Sequence, residues 1–283
     1  MKKEIILSKN NPTIVRLAKL SSKKHREQEG LFMLDGEKLF SEAVEYGTKI
    51  EYVLLSSELT EQKAEFVDYV EKALERTKNS DARILILDKS LFEKVTSEKS
   101  PQGIITVAKT IDFSRKYNTI YNNEKFFQKK RSVIMLCDVR DPGNIGTVLR
   151  SACAFDIDAV LIDKGCCDLF SPKVVRGSMG ALFKTPIKLV DDVVCEIEDM
   201  RKYKVCVCAA ALDRNALSLD KFELDKNESV CFVIGNEGSG LDKRVIDACE
   251  KSVFIPMAEN TESLNASVAS SVLMWELFKS KRK

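Results

Sequence analysis

Short apolar runs alternate with amphipathic segments along the first third of the chain. Four runs predict β-strands, because they are bounded by glycine, proline or polar residues: LFMLDG, IEYVLLS, ARILILD and PQGIITVAK. Between them, EKLFSEAVEYG and ELTEQKAEFVDYVEKALERTK carry apolar residues at helical spacing and predict helices. NPTIVRLAKL, from Asn10, predicts a further short helix with polar capping and Pro12 near its first turn. These elements predict a small α/β domain over residues 1–110.

The second half repeats the alternation after a polar break. Residues 111–130 are charged and asparagine-rich without clear periodicity, so we expect a linker there. Residues 131–283 then contain five predicted strands: SVIMLCDV, IDAVLID, KVCVCAAAL, ESVCFVIG and KSVFIP. Because these strands are apolar at consecutive positions and helices separate them, they predict a parallel sheet buried on both faces. The expected fold class is therefore α/β in both halves.

Charge constrains the choice of partner. The 283 residues are 44% hydrophobic, which is enough for two packed domains, and their formal net charge is only +2. A polyanionic partner would therefore have to contact local clusters of basic residues, each of which could equally be ordinary solvated surface. The residues concerned are Arg16, Lys19, Lys23, Lys24 and Arg26 near the start, Lys125, Lys129, Lys130 and Arg131 in the middle, and Lys279, Lys281, Arg282 and Lys283 at the end.

The cysteine and histidine content indicates a cellular compartment and limits the kinds of catalytic and metal-binding site that the chain can form. Nine cysteines, an odd number with mainly apolar neighbours, favour reduced, buried thiols and a cytoplasmic protein. The first apolar run is too short for a signal peptide, and no stretch approaches a membrane span. His25 is the only histidine and no C-x-x-C pair occurs, so we expect no metal site and no histidine base.

Three polar loops follow predicted strands of the second half, at the edge where a parallel sheet binds its ligands. DPGN turns the chain into a helix that carries Arg150, and FVIGNEGSGL breaks into a glycine-rich loop that holds Glu237. IPM is followed by a loop and by SLN at a helix start. Taken singly, these are explained by a tight turn, a glycine loop and helix caps. The glycine loop has neither the Walker lysine nor the dinucleotide fingerprint.

Taken together, the three loops have a more specific interpretation. DPGNIGTVLRSA, IGNEGSGL and IPM followed by SLN resemble, in order and separation, the three motifs of the SpoU branch of the SPOUT RNA methyltransferases, the TrmH-like ribose 2'-O-methyltransferases. The resemblance covers essentially the whole second half, including FSPKVVRGSMGALFKTPI. The N-terminal segment is similar, more loosely, to the L30e-like substrate-binding domain of many such enzymes, with Asp35 where an acidic Glu-Gly is more usual.

The resemblance implies a domain organisation, a cofactor and a set of site residues. An L30e-like RNA substrate-binding domain would occupy residues 1–110, and a SPOUT catalytic domain with a trefoil knot would occupy residues 131–283. S-adenosylmethionine would bind at the knot, and a homodimer would complete the active site. The implied cofactor-binding residues are Gly235, Ile255 and Leu264, and the implied catalytic residues are Asn144, Arg150, Glu237, Ser263 and Asn265.

Arg150 is the candidate with the most direct chemical role. The mechanism proposed for the family makes the matching arginine a base, yet a guanidinium is effectively never deprotonated in proteins. We therefore expect Arg150 to clamp the target phosphate and to stabilise charge that develops on the ribose oxygen. Glu237 would orient Arg150 or Asn144, unless it is simply a solvated loop carboxylate.

The expected function is methylation of a ribose 2'-hydroxyl, and family analogy favours ribosomal RNA over transfer RNA. An RNA-binding module without turnover, a methyltransferase of a base or a protein, and a role in antibiotic resistance stay open. One position departs from the family pattern. Glu259 stands where many relatives carry a glycine, which predicts an altered loop between Met257 and Ser263 and an altered substrate fit.

Overall fold

The protein is described by a computed structural model that covers residues 3–77, 79–213, 215–223, 228–258, 260 and 263–282. The chain divides into two compact units. Unit 1 consists of Met1–Ile111 and Asp168–Phe183, and unit 2 consists of Asp112–Cys167 and Lys184–Lys283. Unit 1 thus includes a segment from the second half of the sequence, which we call the excursion (Asp168–Phe183). The domain boundaries expected near residues 110 and 131 stay a prediction.

Unit 1 is built on a mixed five-stranded sheet in the order β1-β4-β3-β5-β2. Strands β1, β4 and β3 run parallel to one another, and β5 pairs antiparallel with β3 and β2. The strands are β1 (Lys3–Ile6), β2 (Leu31–Asp35), β3 (Ile50–Ser56), β4 (Arg83–Leu87) and β5 (Ile104–Lys109). The helices are α1 (Pro12–Ala18), α2 (Lys23–Glu29), α3 (Glu37–Glu45), α4 (Ser57–Gln62), α5 (Ala64–Arg76) and α6 (Lys89–Val95), with a 3-10 turn at Lys19–Ser21.

The four strands and three helical segments predicted for this region are confirmed, with one difference in detail. The segment predicted as one long helix breaks at Lys63 into α4 and α5. The short helix α1 begins as expected, with Pro12 in its first turn and the Asn11 side chain accepting from the Thr13 amide at 2.9 Å. Strand β1 was not predicted, because it has four residues and only Ile6 among them is buried.

The excursion is held in unit 1 by a buried ion pair and a ring contact. Asp168 accepts two hydrogen bonds from Arg26, at 2.6 and 2.9 Å. Arg26 also donates to the carbonyls of Leu20 and Ser21, at 2.7 and 2.8 Å, so each of its three guanidinium nitrogens donates within unit 1. Phe170 meets Phe32 of β2 with 4.8 Å between ring centroids. Arg26 therefore belongs to the core and not to the basic surface cluster to which the sequence assigned it.

Unit 2 is built on a seven-stranded sheet in which every pairing is parallel, as predicted. Its order is β10-β12-β9-β11-β6-β7-β8. The strands are β6 (Ser132–Leu136), β7 (Ala159–Asp163), β8 (Ile187–Val190), β9 (Val205–Ala210), β10 (Leu217–Ser218), β11 (Ser229–Ile234) and β12 (Lys251–Phe254). The remaining helices are α7 (Phe113–Lys116), α8 (Asn123–Phe126), α9 (Pro142–Ala154), α10 (Pro172–Ser178, in the excursion), α11 (Ala181–Lys184), α12 (Val193–Lys202), α13 (Lys243–Ala248) and α14 (Ala266–Arg282), with 3-10 turns at Asn118–Tyr121 and Leu219–Lys221.

The order of the strands decides which loops meet. Because β12, β9, β11 and β6 are neighbours and parallel, the loops after β6, β11 and β12 leave the same edge of the sheet. On one face, α14 packs against α9 and contacts β6 and β11. The segment expected to be a linker instead contributes short helical elements to unit 2, where Phe113, Ile120 and Phe126 are buried.

Two further expectations concern cysteines and membranes. Five of the nine cysteines are buried as predicted, namely Cys137, Cys166, Cys206, Cys208 and Cys231, whereas Cys153 and Cys195 are exposed. Burial raises the pKa of Cys137 and of Cys166, the latter to about 12, which disfavours their thiolate forms. Within the described ranges, no helix is both long and apolar enough to span a bilayer.

Candidate active site

The first motif forms the start of α9. Asp141 is its N-cap: one carboxylate oxygen accepts from the amides of Gly143 and Asn144, at 2.6 and 3.1 Å. Pro142 occupies the first turn, where its missing N–H removes no helical bond. An added Cβ on Gly143 would lie 2.8 Å from Asp141 Oδ1, so a larger residue there would displace the capping carboxylate. The cap is therefore Asp141, and Asn144 is left to bond elsewhere.

Asn144 connects the first motif to the second. Its side chain is buried, and its Nδ2 donates to Glu237 Oε1 at 2.9 Å. Glu237 also accepts from the backbone amides of Asp141 at 3.1 Å and Arg140 at 3.3 Å. A single carboxylate thus gathers three donors from the loop after β6 and the first turn of α9. Of the two partners considered for Glu237, the structure has Asn144 and not Arg150.

The charge state of Glu237 follows from these donors. Partial burial raises the pKa of the carboxyl, but the hydrogen bonds from Asn144 and from the backbone amides outweigh it and lower the pKa below its ordinary value. Glu237 is therefore a carboxylate at neutral pH. As such it accepts hydrogen bonds and is a poor candidate for a general acid.

The glycine loop after β11 is a tight hairpin. Asn236 and Gly240 exchange two backbone hydrogen bonds, each of 3.0 Å. A Cβ on Gly235 would lie 2.4 Å from the carbonyl of Gly240, so only glycine allows the two backbones to come this close. The close approach fixes the direction in which the loop leaves the strand and presents Glu237.

Asn236 and Asp138 join the same loops, although neither was a candidate. Asn236 Nδ2 donates to the Asp138 carbonyl at 2.8 Å, and its Oδ1 accepts from the amides of Gly238 and Ser239 at 2.9 and 3.1 Å. Asp138 has a left-handed backbone with φ of 52°, and its side chain accepts from Arg140 Nε at 2.9 Å. An asparagine within a run that contains three glycines, Gly235, Gly238 and Gly240, is a local turn signal that could have identified Asn236.

Arg150 differs from these residues in having no partner among the described residues. It lies on α9, its side chain is exposed, and it forms no hydrogen bond or ion pair with any residue that the structure describes. Its helix is fixed by buried Ile145, Val148 and Leu149 and by packing on α14. A rigid helix therefore holds a permanent cation open to solvent, which suits a ligand that arrives from outside.

The third motif begins α14. Asn265 Oδ1 accepts from the Ser267 amide at 2.9 Å, the Ser267 hydroxyl at 2.6 Å and the Val268 amide at 3.4 Å, so its capping role is real. Ser263 and Leu264 are exposed, and Ser263 has no hydrogen-bond partner among the described residues. Glu259, the departure from the family pattern, lies outside the described residues.

The three candidate cofactor residues differ in exposure. Gly235 is buried, Ile255 is half-buried at the carboxyl end of β12, and Leu264 is 36% exposed. Ile255 and Pro256 line one end of a groove of about 690 Å³ beside α14, within the size range of small-molecule sites. Met257 is 41% exposed nearby in sequence. Accessible apolar side chains on the loop after β12 suit a ligand that carries an apolar ring system.

Comparison with protein families gives two matches along the chain. The family described as the SpoU rRNA Methylase family matches residues 131–275. A domain described as the MRM3-like substrate binding domain matches residues 11–106.

Individual proteins match over nearly the full length. The chain is 27% identical to the 23S rRNA (guanosine(2553)-2'-O)-methyltransferase RlmP of Bacillus subtilis, over 96% of this chain and 98% of that one. A solved structure described as a putative RNA methyltransferase of the TrmH family from Porphyromonas gingivalis is 27% identical with a TM-score of 0.74, covering 96% and 98% of the two chains. An AdoMet-bound rRNA methyltransferase from Sinorhizobium meliloti is 24% identical with a TM-score of 0.79, covering 99% and 98%, and is similar in fold.

Proposed function

The chain belongs to the SpoU rRNA methylase family, and we propose that it transfers a methyl group from S-adenosylmethionine to a ribose 2'-hydroxyl of ribosomal RNA. One observation carries the proposal: Glu237 joins the first two motif loops through Asn144, while Arg150 on the same helix stays open to solvent. The full-length similarity to a protein named as a 23S rRNA 2'-O-methyltransferase supports the choice of substrate.

The candidate residues divide the work between holding and binding. Glu237 and Asn144 fix the loops after β6 and β11, so that α9 and its arginine keep one position. Arg150 clamps the phosphate next to the target ribose with its fork of donors and stabilises the charge that grows on the ribose oxygen. Asn265 holds the start of α14, and the exposed hydroxyl of Ser263 is left to contact the ribose or the cofactor.

S-adenosylmethionine fits the residues that are present. Ile255 and Leu264 offer apolar surface for an adenine ring, and the backbone beside Gly235 offers polar groups. When bound, S-adenosylmethionine would supply a methyl carbon activated by its sulfonium. The ribose oxygen would form its C–O bond as the C–S bond breaks, and the hydroxyl proton would pass to the phosphate or to water. The chain's own tasks are to align the ribose oxygen and to keep Arg150 beside it.

Homodimerisation is part of the proposal. Val268 and Trp275 on α14 are 48% and 46% exposed, and with Thr147 of α9 they line a shallow, mainly apolar groove of about 320 Å³. An exposed apolar helix pair of this kind is typical of an interface. We expect a dimer in analytical ultracentrifugation and expect Trp275→Glu to shift it towards monomer. A wild-type monomer at micromolar concentration would contradict the dimer.

The trefoil knot and the cytoplasmic location complete the proposal. Support for the knot is the family resemblance together with the return of α14 from the end of β12 to α9, β6 and β11. Pulling the chain from both ends should leave an unfolded contour shorter than that of an unknotted chain of 283 residues.

Support for the cytoplasmic location is the proposed ribosomal substrate, and cell fractionation with an antibody against the protein tests it.

The enzymatic assignment is tested with labelled cofactor. The protein is incubated with methyl-labelled S-adenosylmethionine and unmodified 23S rRNA transcript, and the RNA is digested to nucleosides and, separately, with alkali. Ribose methylation leaves a labelled, alkali-resistant dinucleotide, whereas base methylation does not. A label on tRNA alone would move the substrate to tRNA. Cofactor binding without label on any RNA would favour a binding module.

A further inference from the structure

A cavity of about 240 Å³ lies within unit 1, and none of its lining residues is a candidate residue of the methyl-transfer site, all of which belong to unit 2. Its lining includes Asp35, Lys38 and Gln102 from the first third of the chain, and Arg176 and Met179 from the excursion. It is smaller than the roughly 300 to 1,000 Å³ of sites for drug-sized ligands. The volume therefore suits a single planar group, such as one nucleobase.

The polar walls of the cavity are held in place by internal hydrogen bonds. Thr96 donates its hydroxyl to Asp35 Oδ2, and the same hydroxyl oxygen accepts from the Glu98 amide at 3.0 Å. Gln102 Oε1 accepts from the Glu37 amide at 3.0 Å, which leaves its NH₂ group as the donor that faces away from that bond. Gly36 is required there, because its φ is 109° and a Cβ would lie 2.8 Å from Gln102 Oε1.

The excursion supplies the cationic and apolar wall. Arg176, on α10, lines the cavity and forms an ion pair with Glu98, which lines it as well. Met179 ends α10 in a left-handed conformation with φ of 50° and is 42% exposed. An arginine plane and a methionine are both surfaces on which a base can stack.

These walls offer a combination of contacts typical of a nucleotide site. The Asp35 carboxyl accepts hydrogen bonds, the Gln102 amide donates one, and Lys38 is an exposed cation beside them. Burial raises the pKa of Asp35 above its ordinary value, although the bond from Thr96 lowers it, so a further N–H donor would stabilise the carboxylate. Sequence-specific proteins read RNA by such contacts to unstacked bases.

We propose that this cavity binds one unstacked base of the RNA substrate, with Asp35 and Gln102 contacting the base edge and Arg176 stacking on it. The proposal rests on the proposed function, because it takes RNA to be the substrate. It makes the excursion, although it comes from the methyltransferase half of the sequence, part of the RNA-recognition surface. Arg176 and Gln102 are then specificity residues that act on RNA binding and not on the chemical step.

The test compares RNA binding by two cavity variants and one control variant of the whole chain. Arg176→Gln and Gln102→Ala are compared with Lys173→Gln, which removes a charge from the same helix at a residue outside the cavity lining. We expect each cavity variant to weaken binding of unmodified 23S rRNA transcript at least about tenfold, the effect of losing one hydrogen bond to a charged group or one stacking contact. Lys173→Gln should stay within about twofold, and cofactor affinity should not change in any variant.

Cross-linking separates failure of this inference from failure of the proposed function. In RNA carrying 4-thiouridine, cross-links to wild-type protein should fall in peptides that contain Gln102 or Met179 and should be lost in Arg176→Gln. Cavity variants that bind RNA like Lys173→Gln, with cross-links elsewhere, would overturn the inference even if methyl transfer is normal. Cross-links in the cavity without methyl transfer would support the inference and overturn the proposed function instead.

Discussion

Two arginines of this chain have opposite environments. Arg26, which the sequence placed in a basic surface cluster, is buried and donates to Asp168 and to two carbonyls. Arg150, which the motif marked as functional, is exposed and has no partner among the described residues. Each lies on a helix. The difference is in how their donors are used.

An arginine whose three guanidinium nitrogens all donate inside the protein cannot clamp a phosphate without losing some of those bonds. Arg26 is therefore structural, and its removal should affect folding. The donors of Arg150 are free for a ligand, and a rigid helix holds them in place, so its removal should affect turnover. Breaking each arginine's interactions in turn tests whether this separation of stability from catalysis holds.

The largest effect is expected from Asp168→Asn. The substitution leaves the buried Arg26 charge without its counterion, which costs about 3 to 5 kcal/mol of unfolding free energy. Amide hydrogen exchange should locate the loss to α2 and β2 in unit 1. The control is Glu27→Gln on the same helix, whose partner Lys23 is exposed, and it should cost less than about 0.5 kcal/mol. Equal effects of the two substitutions would contradict a structural role for Arg26.

Arg150→Ala should do the reverse. Loss of the charge clamp should lower kcat for methyl transfer by roughly 100-fold or more, the scale seen when a charge-stabilising donor is removed. Cofactor affinity should stay within a few fold and the melting temperature should not change, because Arg150 forms no hydrogen bond or ion pair with a described residue. Arg150→Lys keeps the charge without the fork and should recover only part of the activity. Full activity in Arg150→Ala would show that the clamp is wrong.

The same contrast explains what the sequence could predict. Strands β6, β9 and β11 consist mainly of consecutive buried apolar residues. Because such a run is visible in the local sequence, these strands and their parallel sheet could be predicted. The pattern did not predict β10, which has only two residues, or β8, which has only four. Length, not chemistry, limited these predictions.

The environment of a polar residue was harder to predict. Arg26 and Asp168 are 142 residues apart, and no local pattern could pair them or bring the excursion into unit 1. Similarly, the cap of α9 is Asp141 and not Asn144, since both types cap helices and only the three-dimensional position of Glu237 selects between them. Residue type identified the site, whereas the partners of each residue needed the fold.

A smaller effect is expected within the third motif, where one residue is bonded and one is free. Asn265→Ala removes the cap of α14 and should cost about 1 kcal/mol of unfolding free energy. Ser263→Ala removes a hydroxyl with no described partner and should leave stability unchanged while lowering methyl transfer. Urea unfolding and the labelled-methyl assay measure both quantities. A loss of stability in Ser263→Ala equal to that in Asn265→Ala would remove the distinction.

The smallest effect is expected for Glu237. It is exposed, as Arg150 is, but it accepts three hydrogen bonds within the protein. Its pKa is lowered in the folded protein, so the carboxylate stabilises the fold fully above the unfolded value near 4.5. That contribution is lost as the pH falls through the lower folded pKa. Because the group is solvent-screened, Glu237→Gln should cost no more than about 1 kcal/mol.

Urea unfolding of wild type and Glu237→Gln from pH 3 to 7 measures this contribution directly, since glutamine does not titrate. The difference in unfolding free energy should be constant from about pH 6 to 7 and should shrink towards zero as the pH falls below the unfolded value near 4.5. A difference that grows at low pH would mean that the folded pKa is raised. Glu237 would then be held mainly by burial, as Asp35 is, and not by the donors that join the two motif loops.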